Sequence, residues 1–348
     1  MILYTDTPDR GCMGYLAVIT AAEPEDRFHL PHMLGNVSPE AASKLKQGDI
    51  LSVSGTGEAA VLWDQGSRQN SLLLTEACNC RCLMCPQPPR RHDPALPAAA
   101  LRVLDLLKGK RVESICITGG EPALPKEDFI GILRRCAGEH PNAEVNVLTN
   151  AKPFSDASFA GEAALAAPKK AVFCASLHSD LPQVHDAVVG KPGSYDLTNE
   201  GVYNLAVRRV PLEIRHVIVR RNHDRLLEFA RHLYRYFPFC AHYAFMSMET
   251  CGLAAENLDE IYVEPNDYRD GLRAAVLAMS KRGLPVSVYN TPLCLCHEDI
   301  RPFARRSISA WKNVYLEQCG RCAAKASCCG FFSTSVKLSG QIEPLAAA

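Results

Sequence analysis

The sequence predicts an α/β fold built on a parallel sheet, with a small β-rich section at 1–70 in front and a cysteine-rich extension at 291–348 behind. Three observations predict it. Strand-like and helix-like runs alternate from residue 71 to about 290, and such alternation requires parallel strands joined by right-handed crossovers. Short β-leaning runs with Gly-rich breaks occupy the first 70 residues. Cysteines crowd into two stretches, 78–85 and 294–329, more than packing alone calls for.

Length and composition bound the functional classes. A chain of 348 residues is long enough for one large domain with appendages. Its 47% hydrophobic and 22% charged residues are ordinary for a globular protein. Lys plus Arg equals Asp plus Glu at 38 each, so no global field draws in nucleic acid or an anionic membrane, and neither is expected as a partner. The opening, MILYTDTPDR, has no basic-then-apolar layout, and no run approaches 18 apolar residues. Sixteen cysteines with no export signal point to a reducing cytoplasm and to metal or redox work rather than disulfides. Cys116, Cys136 and Cys174 lie in apolar runs and are expected in the core.

In chain order, 15–20, 49–55 and 58–64 are strand candidates, and Ser38 followed by Pro39 starts a helix over 38–46. His29, His32 and Asp49 are expected as surface or loop residues. Strands are expected at 71–76, 112–118, 144–149, 171–177, 212–219 and 242–248. Helices are expected near 95–108, 126–138, 156–166, 195–209 and 223–236, and a further strand covers 286–290. Active sites in β/α barrels sit at the carboxyl ends of the strands, so those ends carry the functional expectations.

The first strand ends in LLLTEACNCRCLMCPQPP, where Cys78, Cys82 and Cys85 form a C-x3-C-x2-C spacing. Three thiolates on one loop can each bind one iron of a 4Fe–4S cluster and leave the fourth iron open. The competing use, a structural zinc loop, normally comes as two paired spacings. The second strand ends in Gly119-Gly120-Glu121-Pro122. Paired glycines permit close backbone approach, and the Glu121 carboxylate can accept from an ammonium group. The third strand ends at Thr149-Asn150 and the fourth at Ser176-Leu177-His178-Ser179, followed by His185-Asp186 and Gly190-x-x-Gly193-Ser194-Tyr195. His185 and Asp186 fit cap and turn duties as well as catalytic ones. The fifth strand runs out at Asn222 and the sixth at Glu249; both are candidate catalytic residues.

Coupled at this distance, the Cys trio and GGEP resemble the radical SAM superfamily. The six strand–helix units then look like its partial (β/α)6 TIM-type barrel. The resemblance implies that the open iron binds S-adenosylmethionine, that Gly119, Gly120, Glu121 and Pro122 hold its methionyl amine, and that Asn150 and Ser176 contribute to the cofactor site. It also implies reductive cleavage to a 5′-deoxyadenosyl radical that abstracts hydrogen from a substrate. The segment from Ser176 to Tyr195 is similar to that of radical SAM enzymes acting on peptides. It departs from them at Val189, where an Arg is common, so no carboxylate clamp is carried over to that segment.

A second cysteine group closes the chain: Cys294, Cys296, Cys319, Cys322, Cys328 and Cys329. Cys294, Cys319, Cys322 and Cys328 are the expected ligands of an auxiliary 4Fe–4S cluster, with Cys296 and Cys329 as alternates and zinc as the competing metal. Arg301, Arg305, Arg306, Trp311 and Lys312 between the segments form a basic, aromatic patch suited to acidic peptide residues, or else are simply a solvated helix face. MSMETCGLAAEN, YNTPLCLC and SISAWKNVYLEQCGRCAAKASCCGFF extend the resemblance, from about residue 15 onward, to His-Xaa-Ser system radical SAM maturases of the HxsC type. That family implies a peptide or small-protein substrate carrying His-Xaa-Ser repeats, an electron donor such as flavodoxin or ferredoxin, and a companion maturase. The family's CGGFF stands here as Cys328-Cys329-Gly330-Phe331-Phe332, with one extra thiol. Two other functions compete: a radical SAM enzyme acting on a small molecule with a purely structural C-terminal metal, and a zinc-stapled interaction protein. The second must treat GGEP and the strand alternation as accidents.

Overall fold

The computed structural model of the chain describes residues 2–4, 17–19, 33–34, 38, 40, 43, 45–53 and 59–346. Near the start, β1 (Ile2–Tyr4), β2 (Ala17–Ile19) and β3 (Met33–Leu34) form a parallel three-stranded sheet. β4 (Ile50–Val53) and β5 (Ala59–Trp63) pair antiparallel. Strands thus lie within all three runs expected there, and Glu40 and Ser43 are helical. His29 and His32 lie outside the described residues. Asp49 is in a loop but is buried rather than at the surface, because its two oxygens accept from the Lys46 and Gln65 backbone N–H groups at 2.8 Å each.

The main sheet has seven parallel strands in sequential order: β6 (Ser71–Leu73), β7 (Ser114–Thr118), β8 (Glu144–Thr149), β9 (Ala171–Ser176), β10 (Leu212–Ile218), β11 (His242–Ser247) and β12 (Val286–Tyr289). β6 and β12 are edges that do not pair with each other, so the sheet is open, a partial barrel. The 286–290 run joins this sheet as its seventh strand, one more than the six expected.

Helices cover one face of the sheet. α1 (Ala95–Leu107), α2 (Lys126–Glu139) and α3 (Ala157–Ala166) follow β6, β7 and β8, and Asp156 caps α3 by accepting from the N–H groups of Ser158 and Phe159. Then come α4 (Pro182–Val189), α5 (Ser194–Val207), α6 (Leu226–Tyr236), the short α7 (Leu253–Glu256) and α8 (Leu258–Ile261), and α9 (Pro265–Ser280). α4, α7, α8 and α9 are additions to the expected set; α4 and α9 begin with Pro in the first turn, where its missing N–H costs nothing. α6 buries Leu226, Phe229, Ala230 and Leu233, the i, i+3, i+4, i+7 stripe of an amphipathic helix.

The strands divide by parity. Ile115, Ile117, Val145, Val147, Phe173, Ala175 and Ile214 enter the core beneath the helices. Their neighbours Cys116, Asn146, Cys174, Glu213 and Arg215 face the concave side. Cys136 lies in the main core as expected, whereas Cys116 and Cys174 belong to the polar face opposite it. Among the described residues no helix is long and apolar enough to cross a membrane, and the described cysteines are all free thiols.

Candidate functional site

The loop after β6 is irregular but firmly anchored. Four separate segments hold it. The β7 turn zips to it through Gly120 N–H to Thr75 O and Glu121 N–H to Ala77 O, both 2.8 Å. The end of α4 accepts from it: Arg81 N–H to Val189 O at 3.0 Å and Leu83 N–H to Val188 O at 2.9 Å. From the segment after β11, Leu253 N–H donates to Cys85 O at 2.9 Å and Asn257 Nδ2 to Leu83 O at 3.0 Å. From the end of β8, Asn150 Nδ2 reaches Asn79 Oδ1 at 2.6 Å and lies 3.9 Å from Cys78 Sγ. Beneath, Met84 packs with Val188, Val219, Ala254 and Ile261 in a hydrophobic cluster of their own.

This explains the paired glycines. A Cβ on Gly119 would stand 2.6 Å from Thr75 O, and one on Gly120 would sit on Ala77 O. The close approach they permit is therefore to the cysteine loop itself. Gly190 does the same from the other side: its φ is +66°, and a Cβ there would strike Arg81 O.

Cys78, Cys82 and Cys85 are half-buried, and a fourth thiol, Cys80, is buried between them. Cys80 N–H lies 3.4 Å from Cys78 Sγ. Hydrogen bonding to Cys80 and burial push the Cys78 and Cys82 thiols well up, whereas the hydrogen bonds from those two thiols hold Cys80 down. Burial raises Cys85. Among the described residues no three His, Cys, Asp or Glu side chains converge tightly enough for a single metal ion. Three half-buried thiols on one short loop are donors of the kind that can each hold one iron of a cubane cluster.

Glu121 is fully buried. Its carboxylate accepts from Thr149 Oγ1 at 2.8 Å, Asn150 N–H at 2.7 Å and Ala123 N–H at 3.2 Å. Burial pushes its pKa up to about 7 against the pull of those donors. It thereby ties the ends of β7 and β8 together. Asn150 and Ser176 lie at the ends of neighbouring strands, each one residue beyond the Thr149–Ala175 pair. Pro122 lies in the same turn and is buried.

The two catalytic candidates fall in different surroundings. Asn222 is buried, with Oδ1 accepting from Val219 N–H at 2.8 Å and Nδ2 donating to His178 O at 2.9 Å and Val217 O at 3.0 Å. Both of its donor hydrogens are spent bracing the ends of β9 and β10. Glu249 accepts from Lys312 Nζ at 3.0 and 3.2 Å and from the Thr334 hydroxyl. Lys312 is thus an ion-pair partner rather than part of an open basic patch; Arg305, Arg306 and Trp311 are exposed. That stretch is irregular rather than a helix face. Cys251, beside Glu249, lies 3.7 Å from Pro86 O, so this segment bridges the cysteine loop and the C-terminal extension. Asp186 is a turn and cap residue, accepting from Gly193 N–H at 2.6 Å and Tyr195 N–H at 2.8 Å. His185 is buried and accepts from His178 N–H at 3.1 Å.

In the extension, Cys294, Cys319, Cys322 and Cys328 line one small cavity with Tyr315, Phe331 and Ile342. Cys296 points elsewhere, into the main core, and Cys329 is buried outside the cavity lining. Backbone N–H groups of Leu293 and Gly330 approach Cys328 Sγ at 3.4 Å each, and that of Leu345 approaches Cys322 Sγ at 3.4 Å. The Cys329 thiol, with the Gly330 and Leu293 N–H groups, holds the Cys328 pKa down at about 6. N–H groups aimed at sulfur are what a thiolate-ligated centre needs.

Sequence reasoning missed two groups. Lys152, buried beside Cys80, carried no motif. On the concave face, Arg215 pairs with Glu213, whose second oxygen lies 2.8 Å from His242 Nδ1, and His242 Nε2 reaches Ser287 Oγ at 2.9 Å. Charged residues alternating through LEIRHVIV were the available signal.

Residues 72–233 match the family model of the radical SAM superfamily. That span, a little under half of the chain, carries the likeness to a radical SAM domain. The matched span runs from the cysteine loop through α6 and takes in Cys78, Cys82, Cys85, the Gly119–Glu121 turn, Asn150 and Ser176. Among solved structures, the chain is similar to Streptococcus suis SuiB bound to S-adenosylmethionine, at TM-score 0.52 and 18% identity, over 63% of this chain and 50% of that one. It is also similar to SuiB bound to the precursor peptide SuiA, at TM-score 0.50 and 16% identity, over 63% and 48%. At such identity these likenesses show the fold. The chain spans about half the length of those structures. No curated protein matches it.

Proposed function

We propose that the chain is a radical SAM peptide maturase. The observation that carries this is the cysteine loop clamped by the Gly119–Glu121 turn inside the span that matches the radical SAM superfamily. Cys78, Cys82 and Cys85 hold a 4Fe–4S cluster, and Gly119, Gly120, Glu121, Pro122, Asn150 and Ser176 form the cofactor site around it. When bound, cluster and S-adenosylmethionine supply a reductively generated 5′-deoxyadenosyl radical for hydrogen abstraction. The residues of the chain orient and enclose. A carboxylate offers about four acceptor positions; Glu121 commits three to the strand ends and retains one for the methionyl ammonium. Cys294, Cys319, Cys322 and Cys328 hold an auxiliary 4Fe–4S cluster, for which their cavity and the N–H groups on Cys322 and Cys328 are suited.

The substrate is a peptide or small protein bearing His-Xaa-Ser repeats. Support comes from the HxsC-type stretches that run from the cysteine loop to Phe332, from the exposed Arg305, Arg306 and Trp311 beside the extension, and from a similar fold that binds a precursor peptide. A flavodoxin or ferredoxin supplies electrons and a companion maturase acts with it in the cytoplasm. The test is the intact mass of a co-expressed His-Xaa-Ser repeat protein with and without this chain. A mass change that needs Cys78, Cys82 and Cys85 is expected. An unchanged mass alongside reductive SAM cleavage would move the assignment to a small-molecule substrate.

A further inference from the structure

Lys152 opens the 3-10 turn Lys152–Ser155 directly after β8 and is only 7% exposed. Its ammonium donates to the Ser194 hydroxyl at 2.9 Å, the Asn79 carbonyl at 3.2 Å and Cys80 Sγ at 3.4 Å. Among the described residues, Lys46, Lys126 and Lys312 have carboxylate partners, and Lys152 has none. Of the three groups it touches only the Cys80 sulfur can carry negative charge, and neutral dipoles replace only part of the hydration a buried cation gives up. Its surroundings therefore call for negative charge. The segment it touches is Asn79–Cys80, between the first two cysteines of the trio, and Cys80 N–H in turn lies 3.4 Å from Cys78 Sγ. Asn150, two residues before Lys152, directs Nδ2 at the same sulfurs, 3.9 Å from Cys78 and 3.8 Å from Cys80. The end of β8 thus aims an ammonium and an amide at one side of the cysteine loop.

We propose that Lys152 is the buried counter-charge of the cluster bound by Cys78, Cys82 and Cys85, and that it raises that cluster's reduction potential. The inference rests on the reading that the trio holds a 4Fe–4S cluster. Reduction adds one electron from an external low-potential donor to the cluster and brings no proton with it, so the centre becomes more negative by one charge. A fixed positive charge nearby favours that reduced form, and a low-dielectric setting keeps the interaction from being screened. Lys152 is accordingly a positioning residue, acting through the cluster rather than on substrate. The competing role is mechanical: the ammonium ties Ser194, the first residue of α5, to the loop. A brace would alter stability and leave the potential alone.

The experiment uses full-length chain reconstituted with iron and sulfide without oxygen and without S-adenosylmethionine. Lys152→Met, Lys152→Gln and Lys152→Arg are compared with wild type by iron content and by a redox titration followed by electron paramagnetic resonance. The C-terminal Cys319→Ala/Cys322→Ala background isolates the signal of the first cluster. At a fixed potential the neutral variants should show a reduced-to-oxidised ratio about tenfold lower, a shift of about 59 mV to the negative for one electron. Lys152→Arg should stay close to wild type. If both neutral variants lose iron while Lys152→Arg keeps it, the counter-charge acts already in assembly and the proposal stands. An iron-replete neutral variant with a wild-type potential overturns it, as does equal iron loss in all three variants, which marks a purely geometric brace. Iron absent from wild type itself overturns the cluster reading and this inference with it.

Discussion

At the scale of single residues, Glu121 carries two duties that a substitution can separate. Its three donors make it a brace, and its remaining acceptor position makes it the proposed ammonium site. Glu121→Gln preserves the shape but presents an NH2 where Asn150 N–H now donates, and it loses a charge-assisted bond worth about 1.5–3 kcal/mol. SAM affinity should fall about ten- to a hundredfold with iron content maintained, as read by equilibrium binding. If the variant is less stable yet binds S-adenosylmethionine as before, only the brace is real. The carboxyl also titrates in a defined direction. Its folded pKa of about 7 stands above the ordinary 4.5, so its stabilising contribution is complete below pH 4.5 and is lost as pH rises through 7. Glu121→Gln should remove that part of the slope.

At the scale of elements, the contact between the β7 turn and the cysteine loop is steric as much as hydrogen-bonded. Gly120→Ala places a methyl against the Ala77 carbonyl, which is backbone and cannot swing aside. The loop must move, and the anchors from α4 and the 253–257 segment resist it. The expected outcome is loss of about four irons per chain after anaerobic reconstitution, while the far-ultraviolet circular dichroism of the sheet and helices persists. Full iron binding by Gly120→Ala would show the loop to be far more compliant than its anchors imply.

At the scale of the whole molecule, two further outcomes follow. His178, His185 and His216 are buried as a group, and burial lowers all three, His185 to about 4 and His216 to about 3. With folded values below the ordinary 6.5, their contribution is present above pH 6.5 and is lost as pH falls toward 4, opposite in sign to Glu121. Thermal melting under anaerobic conditions should therefore show a lower midpoint at pH 5 than at pH 7.5. His216 packs on Phe229 with Nε2 buried and unpartnered, so His216→Phe should blunt that loss. The extension gives the other outcome. Wild type should bind about eight irons and Cys319→Ala/Cys322→Ala about four, with SAM cleavage retained and peptide product lost. One zinc with about four irons would leave the extension as a structural staple, since Zn²⁺ has no redox chemistry.

What the sequence by itself determined is whatever is written in local periodicity and spacing. The strand–helix alternation from β6 to α6 was legible because each element buries one face and so repeats apolar residues at its own period, as Leu226, Phe229, Ala230 and Leu233 do. Cys78, Cys82 and Cys85 stood out as candidates because three thiols fall within a few residues on one loop after a strand. Only the tertiary structure decided matters that depend on which distant segments meet. It set Cys294, Cys319, Cys322 and Cys328 around one cavity and turned Cys296 into the core, a choice spacing cannot make because both cysteines flank the same short turn. It showed Asn222 spent on backbone groups of β9 and β10, and Asp49 buried by two N–H groups from separate turns. It joined the 286–290 strand to the main sheet and set Arg215, Glu213 and His242 on its concave face, where pairing across strands rather than any motif brings them together. Lys152 is the plainest case. In sequence it is a lysine after a strand, and only when the loop from β6 folds over the end of β8 does its ammonium lose water and face sulfur.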